Sequence, residues 1–353
     1  FVLCTLWGAV VMISGMLFAE PMMAVFGVDR DVVREGGAYL RIMFAGWVPL
    51  EILVMGLYVI QSAGDTMRPM MIEFIIRIIH VILCPLVVMG YWGFPRLGVS
   101  GAALSNVVSQ VLGAILGLWF LLGGRTRLRL AVSDFRLSLD IMVSIVKIGV
   151  PALIMQLQRS LGGSALTWFV IPFGTMAIAA HSLALRIDMF LFMPSMGLGS
   201  GAGVLVGQNL GAHQPERAEK GAWMAVGFVE VFLIACSLAI LLWAESIMGV
   251  FTSDLEVIRL GALFLRVGTA GYVVLSPGSV LQSCIAGAGD TLPNLIISVG
   301  IIWCIQLPLA FVLPKVGGLG VAGVRWAIAI STMAGAIAYA AYFKSGRWKT
   351  KRI

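Results

Sequence analysis

Residues 36–66 read GGAYLRIMFAGWVPLEILVMGLYVIQSAGDT, and residues 261–291 read GALFLRVGTAGYVVLSPGSVLQSCIAGAGDT. The Gly64-Asp65-Thr66 turn that closes the first stretch returns as Gly289-Asp290-Thr291, 225 positions later (290 − 65). At the same offset Gly36 is answered by Gly261, Leu40-Arg41 by Leu265-Arg266, and Ala45-Gly46 by Ala270-Gly271. Upstream, Glu20 pairs with Glu245, Phe26 with Phe251 and Asp29 with Asp254. Downstream, Gly98-Val99-Ser100-Gly101 is answered by Gly320-Val321-Ala322-Gly323 at an offset of 222, so the second copy is about three residues shorter there. Apolar composition alone does not align charged residues and glycines in order. The chain therefore contains two copies of one unit.

The nature of that unit follows from composition. Of 353 residues, 60% are hydrophobic and only 12% charged, and the mean hydropathy is +1.00, too apolar for the core of a soluble domain. About 20 consecutive apolar residues form a helix that crosses the hydrocarbon layer with its backbone groups paired internally. Ten such stretches occur, near 1–19, 37–61, 70–91, 98–122, 141–171, 176–207, 221–243, 256–285, 294–313 and 320–343. They lack the short alternating pattern of barrel strands. The fold class expected is an all-α integral membrane protein of two homologous helical bundles.

Six spans separate the two Gly-Asp-Thr turns, an even number, so the copies share one orientation. Parallel repeats about an axis along the membrane normal are one plan of secondary transporters. The second copy begins near residue 141, and 141 − 225 = −84. The repeat thus predicts two further helices ahead of Phe1, ten being present of an expected twelve. The domains expected are a first lobe over 1–135, its last four helices, and a second lobe over 136–353, six helices with a basic tail.

The net charge of +7 does not point to nucleic acid once the basic residues are placed. Arg125, Arg127, Arg129 and Arg136 form one cluster, and Lys344, Arg347, Lys349, Lys351 and Arg352 another. Both follow an even number of spans, and Arg68, Arg217 and Lys220 fall on the same side. Arg30, Arg34, Arg96, Arg259 and Lys315 lie opposite. The positive-inside rule assigns the richer side to the cytoplasm, giving a multi-pass membrane protein with a cytoplasmic C-terminus. The five cysteines lie inside apolar segments without metal or redox spacing and read as packing residues.

Ionisable and strongly polar residues within spans are costly and face a cavity or a partner, so each is a functional candidate. Glu51 lies in the second span; Glu73, Arg77 and His80 in the third; Gln156, Gln158 and Arg159 in the fifth; His181, Arg186 and Asp188 in the sixth; Glu230 in the seventh. Glu73 and Arg77, four apart, are spaced for an ion pair within one helix. Arg186 and Asp188, two apart, point to different faces and each needs a partner on another helix, for bracing or for ion or proton coupling. Both histidines read as hydrogen-bonded packing residues. The Gly197–Gly203 run, GLGSGAG, lacks the preceding strand of a nucleotide site and reads as a close helix contact, as does the Gly113/Gly117 spacing. Pro151, Pro172, Pro194, Pro277 and Pro308 mark candidate kinks. Neither a P-loop, a metal-ligand spacing nor a Ser/His/Asp grouping is found, which leaves an ion gradient as the energy source. Asp29 and Asp31 form no cluster that would suggest a membrane-embedded transferase.

From Gly149 to Ala218 the sequence resembles the multidrug and toxic compound extrusion (MATE) family. The most specific segment is Leu205-Val206-Gly207-Gln208-Asn209-Leu210-Gly211-Ala212, following the helix with Ala179-Ala180-His181, Leu185-Arg186-Ile187-Asp188 and Pro194. The paired turns at Gly64-Asp65 and Gly289-Asp290 look like the same family's repeat marks. The resemblance implies two six-helix lobes facing a central cavity that opens alternately to each side, exchanging sodium or protons for organic cations or other drugs. It implies no cofactor beyond the coupling ion, no enzymatic activity and a monomer in the bilayer. In the family's sodium-coupled bacterial branch a glutamate lies eight residues after the proline of the seventh helix. Arg159 occupies that position here, and would bind an anionic group or pair with Asp188. A flippase for lipid-linked oligosaccharides, from the wider superfamily and richer in cavity cations, is the alternative.

Overall fold

The computed structural model describes residues 1–25, 29–124, 138–316 and 318–350; the Arg125 to Arg136 cluster, Phe26, Lys351 and Arg352 lie outside them. Among the described residues there is no β-strand. The chain divides into two compact units, Phe1–Met142 and Val143–Ile353.

The first unit comprises α1 (Val2–Ala24), α2 (Arg30–Ala45), α3 (Trp47–Ser62), α4 (Met67–Met89) and α5 (Gly98–Leu122). Its core is Leu53, Leu57 and Ile60 of α3 against Ile72 and Ile76 of α4 and Leu121 of α5. The second comprises α6 (Leu139–Val170), α7 (Thr175–Gly211), α8 (Pro215–Gly249), α9 (Leu255–Tyr272), α10 (Leu275–Gly287), α11 (Thr291–Val299), α12 (Leu307–Val312) and α13 (Ala322–Lys344). Between α11 and α12 the chain winds as a π-helix over Gly300–Gln306. Eight of the described helical stretches are long and apolar enough to span a bilayer, or ten when α2 with α3 and α9 with α10 each count as one bent span. All ten expected spans are present. Many large apolar side chains stand exposed, among them Leu17, Phe74, Val81 and Phe228, as helices facing lipid require.

The matched residues make matched contacts. Arg41 Nη2 lies 3.1 Å from Glu20 Oε1 in the first unit, and Arg266 Nη2 lies 3.3 Å from Glu245 Oε1 in the second. Met23 and Met248, also 225 apart, press on Gly36 and Gly261, where an added Cβ would stand 2.5 and 2.1 Å from the methionine methyl. The repeat therefore preserves a pair of helices clamped by one ion pair and one methionine-on-glycine contact. Gly64 and Gly289 take φ of +85° and +75°, a left-handed geometry that turns the chain so that the next helix begins within three residues, with Thr66 and Asp290 in the N-cap positions.

The bent spans have one cause. Pro49 and Pro277 lack the N–H that a continuous helix would bond to Ala45 and Val273, and their rings crowd those carbonyls. The helices break there, by 45° at Gly46 and by 54° at Val273–Val274. Pro277 is among the expected kink prolines; Pro49 is not.

In α7 the GLGSGAG run lies mid-helix, short of the Gly211 end, and packs against α10. A Cβ on Gly287 would stand 2.2 Å from the Gly203 carbonyl oxygen, and one on Gly207 would stand 2.9 Å from that of Gly287. Small residues are what permit this backbone approach. In the GxxxG pair of α5, Gly113 faces Ile76 at 2.1 Å while Gly117 faces open space.

Candidate functional site

The interior of the second unit holds the best-organised polar cluster. Asp188 of α7 accepts from Arg325 of α13 through both oxygens, Nη1 to Oδ2 at 3.0 Å and Nη2 to Oδ1 at 3.1 Å. The Tyr272 hydroxyl, at the end of α9, also donates to Asp188. Arg325 is 2% exposed and Asp188 23%. A fork-to-fork pair suits arginine, whose planar guanidinium matches both carboxylate oxygens. Phe264 lies under the guanidinium at 5.9 Å, and its ring meets His181 edge-on at 6.5 Å. His181 is fully buried, and among the described residues neither ring nitrogen has a hydrogen-bond partner. The expectation of a hydrogen-bonded histidine is corrected to one held by packing; the same holds for His80 Nδ1.

Asp188, Tyr272 and Arg325 line a cavity of about 380 Å³ whose other walls are largely apolar, including Leu185, Met189 and Ile328. A second cavity of about 300 Å³ shares Phe192, Leu275 and Thr332 with the first. Its lining is mixed: apolar walls that include Ile301 and Ile302 carry Arg159 of α6, Ser279 and Gln282 of α10, Gln306 of the π segment, and Tyr339 of α13. Arg159 Nη2 donates to Gln282 Oε1 at 3.3 Å, Gln282 Nε2 donates to the Tyr339 hydroxyl at 2.9 Å, and that hydroxyl donates to the Asn294 carbonyl at 3.3 Å. Gln158, beside Arg159 and buried, donates to Ser298.

The structure thus places Asp188 and Arg159 at adjoining cavities without pairing them: Arg325 holds the carboxylate, and Arg159 donates to Gln282. Gln156 and Arg186 are exposed. Glu230, half-buried on α8, has one carboxyl oxygen without a partner among the described residues. In the first unit Glu73 and Arg77 pair at 3.3 Å on the exposed face of α4, and Glu51 packs its stem near Gly8 of α1. The paired turns differ in chemistry: Asp65 accepts from Arg68 Nη1 at 2.6 Å, whereas buried Asp290 accepts from the Tyr342 hydroxyl. Gly207 seats α7 on α10, Asn209 Nδ2 donates back to Leu205 O at 2.7 Å, and Gln208 and Gly211 close α7 ahead of the turn into α8. Among the described residues, three His, Cys, Asp or Glu side chains nowhere gather as a metal site.

Comparison with known proteins matches residues 1–86 and 151–312 to the MatE family. Among the relatives, the probable multidrug resistance protein YoeA of Bacillus subtilis is 24% identical over 328 residues, covering 90% of this chain and 70% of the relative. A FAD transporter of Shewanella oneidensis is 26% identical over 296 residues, covering 84% of this chain and 66% of the relative. Among solved structures, a MOP superfamily transporter from Pyrococcus furiosus superposes with a TM-score of 0.90 at 22% identity, over 99% of this chain and 78% of the other. Its reversed binding-pocket polarity has been taken to suggest a different function.

Proposed function

The chain belongs to the MatE family of multi-pass membrane transporters, and we propose that it exports small organic compounds in exchange for sodium ions or protons, its two homologous bundles giving alternating access. The observation that supports coupling is Asp188. A carboxylate within a membrane-spanning helix, clamped by Arg325 and Tyr272 yet open to a cavity, ties its occupancy to the packing of α7, α9 and α13. A proton or sodium ion arriving at Asp188 competes with Arg325 for the same oxygens. Releasing Arg325 loosens α13 from α7, and rebinding tightens them. A site biased by ion occupancy between two arrangements is what coupling requires.

The relatives do not fix the substrate, since one is a multidrug resistance protein and another a FAD transporter. The organic cation that the family resemblance implies finds one acid among the lining residues of the two cavities, Asp188, and that acid is already held by Arg325. An organic cation therefore enters as a competitor of Arg325, as the coupling ion does. We place the protein in the inner membrane as a monomer with its C-terminal helix end on the cytoplasmic side. Dye efflux from vesicles containing the full-length protein, under an imposed sodium gradient and then a proton gradient, tests the reading. Movement under one gradient supports exchange and identifies the ion; movement under neither removes the coupling proposal.

A further inference from the structure

Two arginines stand at the cavities of the second unit, and their surroundings differ. Arg325 is bound through both outer nitrogens to Asp188. Arg159 has no carboxylate within 4.0 Å among the described residues, and its hydrogen-bond partner is a neutral amide oxygen of Gln282 at 3.3 Å. An arginine stays protonated in proteins and offers five donors, of which this bond uses one. The Gln282 orientation is set by its neighbours, because its Nε2 donates to the Tyr339 hydroxyl, whose own proton is directed at the Asn294 carbonyl. The cavity wall around Arg159 carries further neutral hydrogen-bonding groups, Ser298, Gln306, Ser331 and Thr332, and neither aspartate nor glutamate. The π segment adds one residue per turn relative to an α-helix, rotating the residues beyond it by about 100°, and Gln306 at its end faces this cavity. A cation at membrane depth that faces neutral hydrogen-bonding groups and apolar walls is costly unless an anion meets it.

We propose that the Arg159 cavity is a subsite for an anionic group, a carboxylate or phosphate, of the transported compound, whose apolar body occupies the adjoining Leu185–Met189–Ile328 compartment. This rests on the transport reading above and names the substrate class. The shared walls Phe192, Leu275 and Thr332 join the two spaces. Their volumes suit a drug-sized molecule with a polar end and an apolar end. The same chemistry is offered by a soluble organic anion and by the phosphate of a lipid headgroup.

The test uses the full-length protein in nanodiscs and two xanthene dyes of similar size, fluorescein, an anion, and rhodamine 6G, a cation, with binding read by fluorescence polarisation. Arg159→Gln is expected to weaken fluorescein binding about tenfold or more, as loss of a charge-assisted hydrogen bond does. Arg159→Lys restores most of that binding and controls for folding, and Arg159→Gln leaves rhodamine 6G binding no weaker. Phenyl phosphate displacing fluorescein assigns the subsite to soluble anions; displacement only by phosphatidic acid in the disc assigns it to a lipid headgroup. Fluorescein binding unchanged in Arg159→Gln, or an equal loss for both dyes, overturns the proposal. Gradient-driven efflux without Arg159-dependent fluorescein binding removes the subsite and leaves transport standing. Arg159-dependent binding without efflux of either dye under either gradient does the reverse.

Discussion

Breaking the Asp188–Arg325 pair from its two ends should give unequal penalties. Removing one partner of a buried ion pair costs about 3–5 kcal/mol, because the other charge is left uncompensated. With Arg325→Gln, Asp188 remains, but it is 23% exposed to a cavity and keeps the Tyr272 hydroxyl. The expected loss is at the low end, about 3 kcal/mol. With Asp188→Asn, the charge stranded is Arg325, 2% exposed, whose Nε already has no partner among the described residues. The expected loss is at the high end, about 5 kcal/mol. The double substitution Asp188→Asn with Arg325→Gln strands neither charge and should lose no more than the milder single change, about 3 kcal/mol, so the coupling energy is roughly 5 kcal/mol or more. Equilibrium unfolding of the four proteins in mixed micelles with added SDS measures the cycle. Additive losses, or single losses below about 0.5 kcal/mol, would refute the view that the pair is a closed electrostatic unit.

Other outcomes rest on packing. Gly287→Ala places a methyl 2.2 Å from the backbone oxygen of Gly203, which cannot move aside as a side chain would, so this variant should fail to give a monodisperse peak in detergent. Gly117→Ala, facing open space, should leave the same profile unchanged and gain up to about 1 kcal/mol of helix stability. Trp348 is fully buried, stacked on Phe343 at 4.5 Å, and donates to the Phe343 carbonyl at 2.7 Å; Trp348→Ala should cost about 3–5 kcal/mol in the same unfolding assay. Pro277→Ala restores the N–H that the α9–α10 break lacks, and a structure of the variant should show the 54° bend reduced.

Much of the fold was legible because its causes are local. A membrane span is set by about 20 consecutive residues, and the repeat survives in contacts each copy makes with itself. The matched Glu20–Arg41 and Glu245–Arg266 residues are spatial neighbours in both units, so the sequence match was already a contact map. The same logic explains what was seen imperfectly. At Pro277 the helix breaks four residues upstream of the proline, at Val273, whereas Pro151 and Pro194 lie inside the unbroken α6 and α7, so a proline in a span does not by itself name the break. The positions at which α7 meets α10 were visible as small residues, but their partner, Gly287, was not, because nothing in a glycine run names the helix that presses on it.

The charge cluster was half legible for a different reason. Asp188 was visible as an acid inside an apolar span, with a partner required on some other helix, but the partner lies 137 residues away. Arg325 comes two residues after the Gly320-Val321-Ala322-Gly323 opening, where an arginine reads as part of the headgroup boundary rather than the interior. Its depth comes from the fold. A Cβ on Gly323 would stand 2.5 Å from Pro314, so the start of α13 is drawn in against the end of the preceding span and Arg325 is carried beneath it, to 2% exposure. Asp188 is held by Arg325, and Arg159 finds a neutral partner in Gln282 instead. A sequence with the acid and both arginines permits either pairing, and helix packing decides which cation is neutralised and which remains open to a ligand.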